Sequence, residues 1–314
     1  MKKFILAGVG VLTLALASRL EALNVVSDFS TNPLTGGGWS FGVGNNSNNQ
    51  FAWNAAGSSL LVHVDSSLPT VRLDLPIGAT LTTDTDFTLT CRFSFTVTSA
   101  SSDASMQFAF GLVNHTLTGG NRTGLPTDPV FPAPGSANVF STVEFNYFPN
   151  VSPLYGGPTL TPSVFGAQSA GGDAFGNFTS LFGSGPDLGD NVVPAQIDQL
   201  PQSVLLLATL DFSASTKLLA ITMQRINGDL SLTTLETGVP ALDLSFVTPT
   251  FAVDSLAIMA YGDGYNSFYP STPALIGDMD IRQIAVSSPV PEPAAALLLV
   301  SAGGMLALLR RRHA

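Results

Sequence analysis

Residues 86–97 read DFTLTCRFSFTV, and this stretch decides the fold class. Phe87, Leu89, Cys91, Phe93, Phe95 and Val97 alternate with Thr88, Thr90, Arg92, Ser94 and Thr96. Successive side chains of a strand point to opposite faces, so a period of two builds one apolar and one polar face. The stretch therefore predicts a half-buried antiparallel strand.

The same period extends in both directions along the chain. SMQFAFGLV places Met106, Phe108, Phe110 and Leu112 on one face, and FSTVEFNYF sets Val143, Phe145 and Tyr147 opposite Glu144 and Asn146. SVLLLATLDF, TKLLAITMQR, LSLTTLE, VDSLAIMAY and DMDIRQIAV are strand-like in length and β-branched content. Asn227-Gly228, between two of them, is the strongest hairpin signal in the chain. Ten or more strands and no convincing helix in the mature region imply an all-β, two-sheet antiparallel sandwich. Two Gly-, Pro-, Asn- and Ser-rich stretches, roughly 114–138 and 149–200, read as long loops. No linker divides the body of the chain, and no repeat of 20 to 50 residues is present.

The order of features is similar to that of a concanavalin A-like jelly roll. An opening DFSTNPLTGGGW precedes a Trp/Phe strand, then TVRLDL, the long DFTLTCRFSF strand, FGLVN and a closing GDMDIRQIAV. The resemblance implies a jelly-roll sandwich whose last strand returns to lie near its first.

Composition narrows the function classes. Charged residues are 11% of the 314, and Gly (30) and Pro (21) are abundant, as in a turn-rich exported β-protein. Half of the twelve basic residues lie near the ends, at Lys2, Lys3, Arg19 and Arg310 to Arg312. Residues 23–293 hold six Lys/Arg against eighteen Asp and three Glu, a net of −15, and such a surface repels phosphate backbones and excludes nucleic-acid binding. Cys91 is the single cysteine, so no intramolecular disulfide forms, and its place on the apolar phase of the strand makes it a core residue.

Both ends read as addresses. MKKFILAGVGVLTLALASRLEA, residues 1–22, has two lysines, an apolar stretch from Phe4 to Ala17 and then small residues, the three-part form of a secretory signal peptide for the Sec machinery. Cleavage after Ala17, with Ala15 at −3, fits the small-x-small rule best, and Ala22 is the other candidate. At the other end, Ala294 to Leu309 is an uncharged run spanning roughly 24 Å as a helix, just under a hydrocarbon core of about 30 Å. Arg310, Arg311 and Arg312 follow and, by the positive-inside rule, keep the C-terminus in the cytoplasm with the body outside. Pro291 and Pro293 break any helix upstream and leave an extended segment at the membrane surface.

Val290-Pro291-Glu292-Pro293, the apolar run and the arginine cluster, in that order, resemble the PEP-CTERM sorting signal of bacterial surface and matrix proteins. The resemblance covers about 25 of 314 residues. It implies a membrane-embedded exosortase-like transpeptidase as partner, which removes the tail. It also implies a protein exported, held transiently in the membrane by its C-terminal helix, and then left at the cell surface or outside it. The expected organisation is a signal peptide at 1–22, a β-sandwich ectodomain at 23–288 and a sorting signal at 289–314, the domain acting as a non-enzymatic structural or adhesive module.

A search for chemistry in the body of the chain gives little. Retaining glycoside hydrolysis needs two carboxylates about 5.5 Å apart, on a strand at i, i+2 or i, i+4. Glu144 is followed at those positions by Asn146 and Phe148, and the Glu-x-Asp-x-x-Glu of retaining glucanases of this fold is missing. His63 and His115 are far apart and make no metal pattern, no Gly-x-Ser-x-Gly, Walker or His-Glu-x-x-His motif occurs, and no catalytic residue is assigned. No cofactor is expected. Calcium is left open by the hard oxygen ligands of Asp187, Asp190, Asp263, Asp278 and Asp280, none of which follows EF-hand spacing. The aromatic stretch YGDGYNSFY supplies Tyr261, Tyr265, Phe268 and Tyr269 among Gly, Asp and Asn, to which Trp39 and Trp53 could add. Such a set either stacks on sugar rings of an exopolysaccharide, making the module lectin-like, or plugs the end of the core.

Overall fold

A computed structural model describes residues 22–47, 49–65, 67–69, 71–99, 107–115, 140–148, 159–166, 203–235, 241–245, 251–261 and 276–289. The elements among them are all strands: β1 (Leu23–Ser27), β2 (Ser40–Val43), β3 (Phe51–Asn54), β4 (Ser59–Asp65), β5 (Val71–Thr82), β6 (Phe87–Ser99), β7 (Gln107–Val113), β8 (Phe140–Phe148), β9 (Thr159–Gly166), β10 (Leu206–Ser213), β11 (Leu218–Ile226), β12 (Leu232–Thr234), β13 (Leu242–Asp243), β14 (Ala252–Tyr261) and β15 (Ile276–Ser288). A nine-stranded sheet runs β12-β11-β10-β6-β15-β4-β3, with β1 on β15 and β13 on β11, and a six-stranded sheet runs β2-β5-β14-β7-β8-β9. Neighbours along both paths are antiparallel. The two sheets form a sandwich, and the strands from Asn24 to Ser287 belong to one compact unit. Met1–Leu23 and Ser288–Ala314 group as a second unit, nearly all of it outside the described residues. No helix among the described residues is long and apolar enough to cross a membrane.

The deciding stretch is β6, in the middle of the larger sheet. Phe87, Leu89, Cys91, Phe93 and Phe95 are buried, while Thr88, Thr90, Ser94 and Thr96 are half-buried and Arg92 is exposed. Its rings cross to the smaller sheet: Phe95 meets Phe108 edge-on at 4.5 Å and Tyr147 at 5.3 Å, and Phe93 meets Phe110 at 6.3 Å. Full burial of such a side chain contributes about 1.5–3 kcal/mol. An aromatic pair of this geometry adds about 0.5–1.5 kcal/mol. Cys91 is fully buried, and desolvation pushes its thiol far above the ordinary value, so it is a core hydrophobe and not a nucleophile.

The hairpin at Asn227-Gly228 joins β11 to β12, but the loop is longer than a two-residue turn. Ile226 pairs with Leu232, Asn227 N–H donates to Ser231 O at 2.9 Å, and Leu230, not Gly228, has the positive φ of 67°. Side chains explain the difference. Ser231 donates both its N–H and its hydroxyl to Asp229, and Asn227 Nδ2 donates to Ser231 Oγ and Thr233 Oγ1.

The Asp-x-Ser unit recurs where strands end, at Asp28-x-Ser30, Asp65-x-Ser67, Asp229-x-Ser231 and Asp243-x-Ser245, each aspartate accepting the serine N–H. These turns take up part of the acidic excess of the chain. The serine hydroxyl first, and its N–H second, hold Asp28, Asp229 and Asp243 below the usual carboxylate value. A carboxylate depressed on folding contributes stability that is present above its unfolded pKa of about 3.9 and lost as pH falls through the folded value. The melting midpoint is therefore expected to fall on acidification below about pH 4, read by thermal unfolding across that range. A midpoint that holds or rises there contradicts this account of the turns.

The smaller sheet departs from the half-buried expectation. On β7, Ala109 and Val113 are as buried as Phe108, Phe110 and Leu112, and on β14 every residue from Ser255 to Ala260 is buried. Both faces of this sheet are covered, so its strands follow the continuous apolar pattern of a two-sided core.

Candidate functional site

The outer face of the six-stranded sheet, turned away from the sandwich core, holds the most unusual chemistry among the described residues. Its register is set by the pairs Asp74↔Ala257, Ala257↔Gly111 and Gly111↔Glu144, which place these four residues in one row across β5, β14, β7 and β8. The row above runs through Arg72, Met259 and Ala109. The centre is apolar, with Ala109, Val113, Ala257 and Met259 forming a fully buried cluster. The flanks are polar and equally buried: Arg72 at 1%, Asp74 at 0% and Glu144 at 0% exposure.

Arg72 and Asp74 lie two residues apart on β5, hence on the same face. Arg72 grips the carboxylate with both arms, Nε donating to Oδ1 at 2.7 Å and Nη2 to Oδ2 at 2.8 Å. This bidentate geometry is the strongest form of the ion pair, and it offsets the cost of burying two charges. His115, half-exposed just beyond β7, brings Nδ1 to 2.7 Å from Asp74 Oδ2. Its backbone N–H donates to Asp254 Oδ1 at 2.9 Å, and Ser255 Oγ donates to the same oxygen. Asp74 and Asp254 thus fix the point at which the chain leaves β7, tying β5, β14 and β7 together.

Glycine is required where this site meets the backbone. A β-carbon on Gly42 of β2 would collide with the Asp74 carboxylate and Arg72 Nε. One on Gly111 would collide with the main-chain oxygen of Val143 and crowd Glu144 Cα at 2.9 Å. The missing side chains of Gly42 and Gly111 leave the room that the Arg72–Asp74 pair and the β8 backbone occupy.

As a catalytic arrangement the row is poorly placed. Asp74 and Glu144 are separated by three strand spacings, about 14 Å between backbones. A retaining carboxylate pair needs about 5–5.5 Å and an inverting pair about 6.5–9.5 Å. Both Asp74 oxygens already accept from Arg72.

Other candidate residues fall elsewhere. Asp278 pairs with His63 at 2.7 Å across β15 and β4, and Asp280 with Arg282 at 2.9 Å, so two of the five calcium candidates are each held by a basic partner. Among the described residues no group of three or more His, Cys, Asp or Glu is placed to hold a metal ion. The two indoles are used internally: Trp39 Nε1 donates to Ser27 Oγ at 3.2 Å and Trp53 Nε1 to Phe29 O at 2.9 Å, with Phe29 stacked on Trp39. Tyr261 is the last residue of β14, its backbone opposite Gln107. Tyr265, Phe268, Tyr269, Asp187, Asp190, Asp263, Val290, Pro291, Glu292, Pro293 and Arg310 to Arg312 lie outside the described residues. The burial of Arg72 and Asp74 was missed because VRLDL alternates like any half-buried strand. The available signal was an opposite-charge pair at i, i+2 in a chain with few charges.

No family model and no curated protein matches the chain. Among solved structures it is similar to the carbohydrate recognition domain of Emp47p, at 11% identity and a TM-score of 0.45 over 85% of this chain and 96% of that one. The lectin of Bauhinia forficata in complex with GalNAc aligns at 11% identity and 0.44, over 86% and 99%. The exoplasmic/lumenal domain of VIP36, in a Ca2+/Man-bound form, aligns at 11% and 0.44, over 88% and 93%.

Proposed function

We propose that the chain is an exported bacterial surface or extracellular-matrix protein, sorted by a PEP-CTERM signal, whose concanavalin A-like sandwich is a non-enzymatic structural or adhesive module. The observation that carries this reading is the order at the C-terminus: a Pro-Glu-Pro segment, an uncharged run of 16 residues and three arginines, opposite an N-terminal stretch with the composition of a signal peptide. Each part has a physical task. The prolines keep the segment extended, the apolar run halts the chain at bilayer depth, and the arginines fix its orientation. A surface carrying a net −15 suits life in a hydrated matrix and resists self-association. Asp74 and Glu144 are too far apart to act as a glycosidase carboxylate pair. The test is recovery of the protein from the surface of the native host and its intact mass, because export and tail removal each shorten the chain by a calculable amount.

A second reading, a carbohydrate-binding lectin-like module on exopolysaccharide, rests on Tyr261, Tyr265, Phe268 and Tyr269. Stacking of one aromatic ring contributes about 0.5–1.5 kcal/mol. Tyr265→Ala and Tyr269→Ala are therefore each expected to weaken retention on host glycan about two- to ten-fold, measured by affinity electrophoresis. Equal retention by both variants removes this site.

A further inference from the structure

We propose that β15 is the strand that closes the sandwich, and that it does so while the apolar C-terminal segment still holds the chain in the membrane. The second half rests on the export reading above; the first stands on topology alone. β15 is interior to the nine-stranded sheet, with β6 along one edge from Ile276 to Ser287 and β4 along the other from Ile276 to Ile281. β1 also pairs with β15, and β3 joins through β4. Among the described strands, β1, β3 and β4 are thus hydrogen-bonded to the rest of their sheet through β15. Its inward side chains Met279, Ile281, Ile284 and Val286 are fully buried.

These pairings are also far apart in sequence. The contact of Asp278 with His63 spans 215 residues, and that of Ile276 with Thr98 spans 178. Non-local pairing is rewarded only after the loop-closure entropy has been overcome, so it is formed late, and sandwiches fold in roughly milliseconds to seconds.

Export runs from the N-terminus with the chain unfolded, so Ile276 to Ser287 emerge last. Glu292 follows Ser287 by five positions and the apolar run begins at Ala294. When the tail stops in the bilayer, the closing strand has just become available outside. The tail-bearing chain is then the form in which the domain folds, and the processing enzyme acts on a chain whose sandwich is already closed.

The experiment is a pulse-chase of the full-length protein in its host, with protease added at intervals to cells whose envelope has been made permeable to it and the tail followed by an antibody. Protease-resistant, tail-bearing chains are expected to accumulate before tail-less ones. Resistance that arises only after tail loss, or in chains stalled short of Ile276, overturns the proposal. Ile281→Asp puts a charge on the buried face of β15 and should leave tail-bearing chains cleaved roughly tenfold faster or more. Since that variant could simply misfold, hydrogen exchange of the unaltered protein gives an independent reading. Amides of β1, β3 and β4 should open together with those of β15 while β10 and β11 stay protected, and β15 exchanging while β3 and β4 stay protected contradicts the closing role. If tail-less chains never form, the sorting reading fails, and resistance of the tail-bearing chain still decides the closure.

Discussion

Glu292→Ala is expected to leave the C-terminal tail on the protein and the protein in the membrane fraction. Glu292 is the single charged residue between Arg282 and Arg310, and it sits between two prolines. On the proposed sorting reading, a transpeptidase at the bilayer surface has one ionic handle by which to recognise this segment. Removing one partner of a desolvated, hydrogen-bonded charge pair costs about 2–5 kcal/mol, which is a loss of roughly thirty-fold or more in processing. Glu292→Gln keeps the shape and removes the charge, so it should behave like alanine if charge is what is read. Glu292→Asp keeps the charge on a shorter arm and should retain part of the activity. Pulse-chase with fractionation measures all three. Release of Glu292→Ala at the rate of the unaltered protein would falsify the sorting assignment.

Asp74→Ala is the second large effect, this time on stability. It takes both hydrogen-bonded oxygens away from a guanidinium that is 1% exposed and packed against the backbone of Gly42. Breaking a buried ion pair by removing one partner costs about 3–5 kcal/mol. For a domain of this size that lowers the melting midpoint by about 6–15 °C. The double replacement Arg72→Met with Asp74→Leu should recover most of the loss, because it removes both members of the buried ion pair together. His115→Ala, at the half-exposed end of the same cluster, should cost under about 1 kcal/mol. An Asp74→Ala midpoint within a degree of the original contradicts the claim that this buried pair stabilises the outer face of the six-stranded sheet.

How far the sequence could be read depended on whether a strand has one buried face or two. DFTLTCRFSFTV belongs to a sheet with one face on the core and the other toward solvent, so its alternation reported its surroundings directly, and β6 follows it from Phe87 to Thr96, Val97 being only half-buried. β7 and β14 are covered on both sides, and their small outer residues Ala109, Gly111 and Ala257 carried no polar marker to reveal the second face. Arg72 and Asp74 were hidden for the opposite reason. They look like solvent-facing residues of an alternating strand, and their pairing, with His115 on Asp74, offsets the cost of burial. The hairpin at Asn227-Gly228 was legible as a hairpin, but its loop length was set by Asp229 and Ser231, whose hydrogen bonds moved the left-handed residue to Leu230. The pairing of β15 with β4, over some two hundred residues, leaves no local trace beyond the strand pattern of each.

The sorting signal is a different kind of legibility. On the proposed reading its parts act in a membrane and on an enzyme, so their meaning lies in order and spacing along the chain. The measurement that tests the central claim most directly is the intact mass of the protein recovered from the native cell surface. A mass lacking both the signal peptide and everything beyond about Pro293 is the predicted result. A mature chain that still carries Ala294 to Ala314 contradicts it.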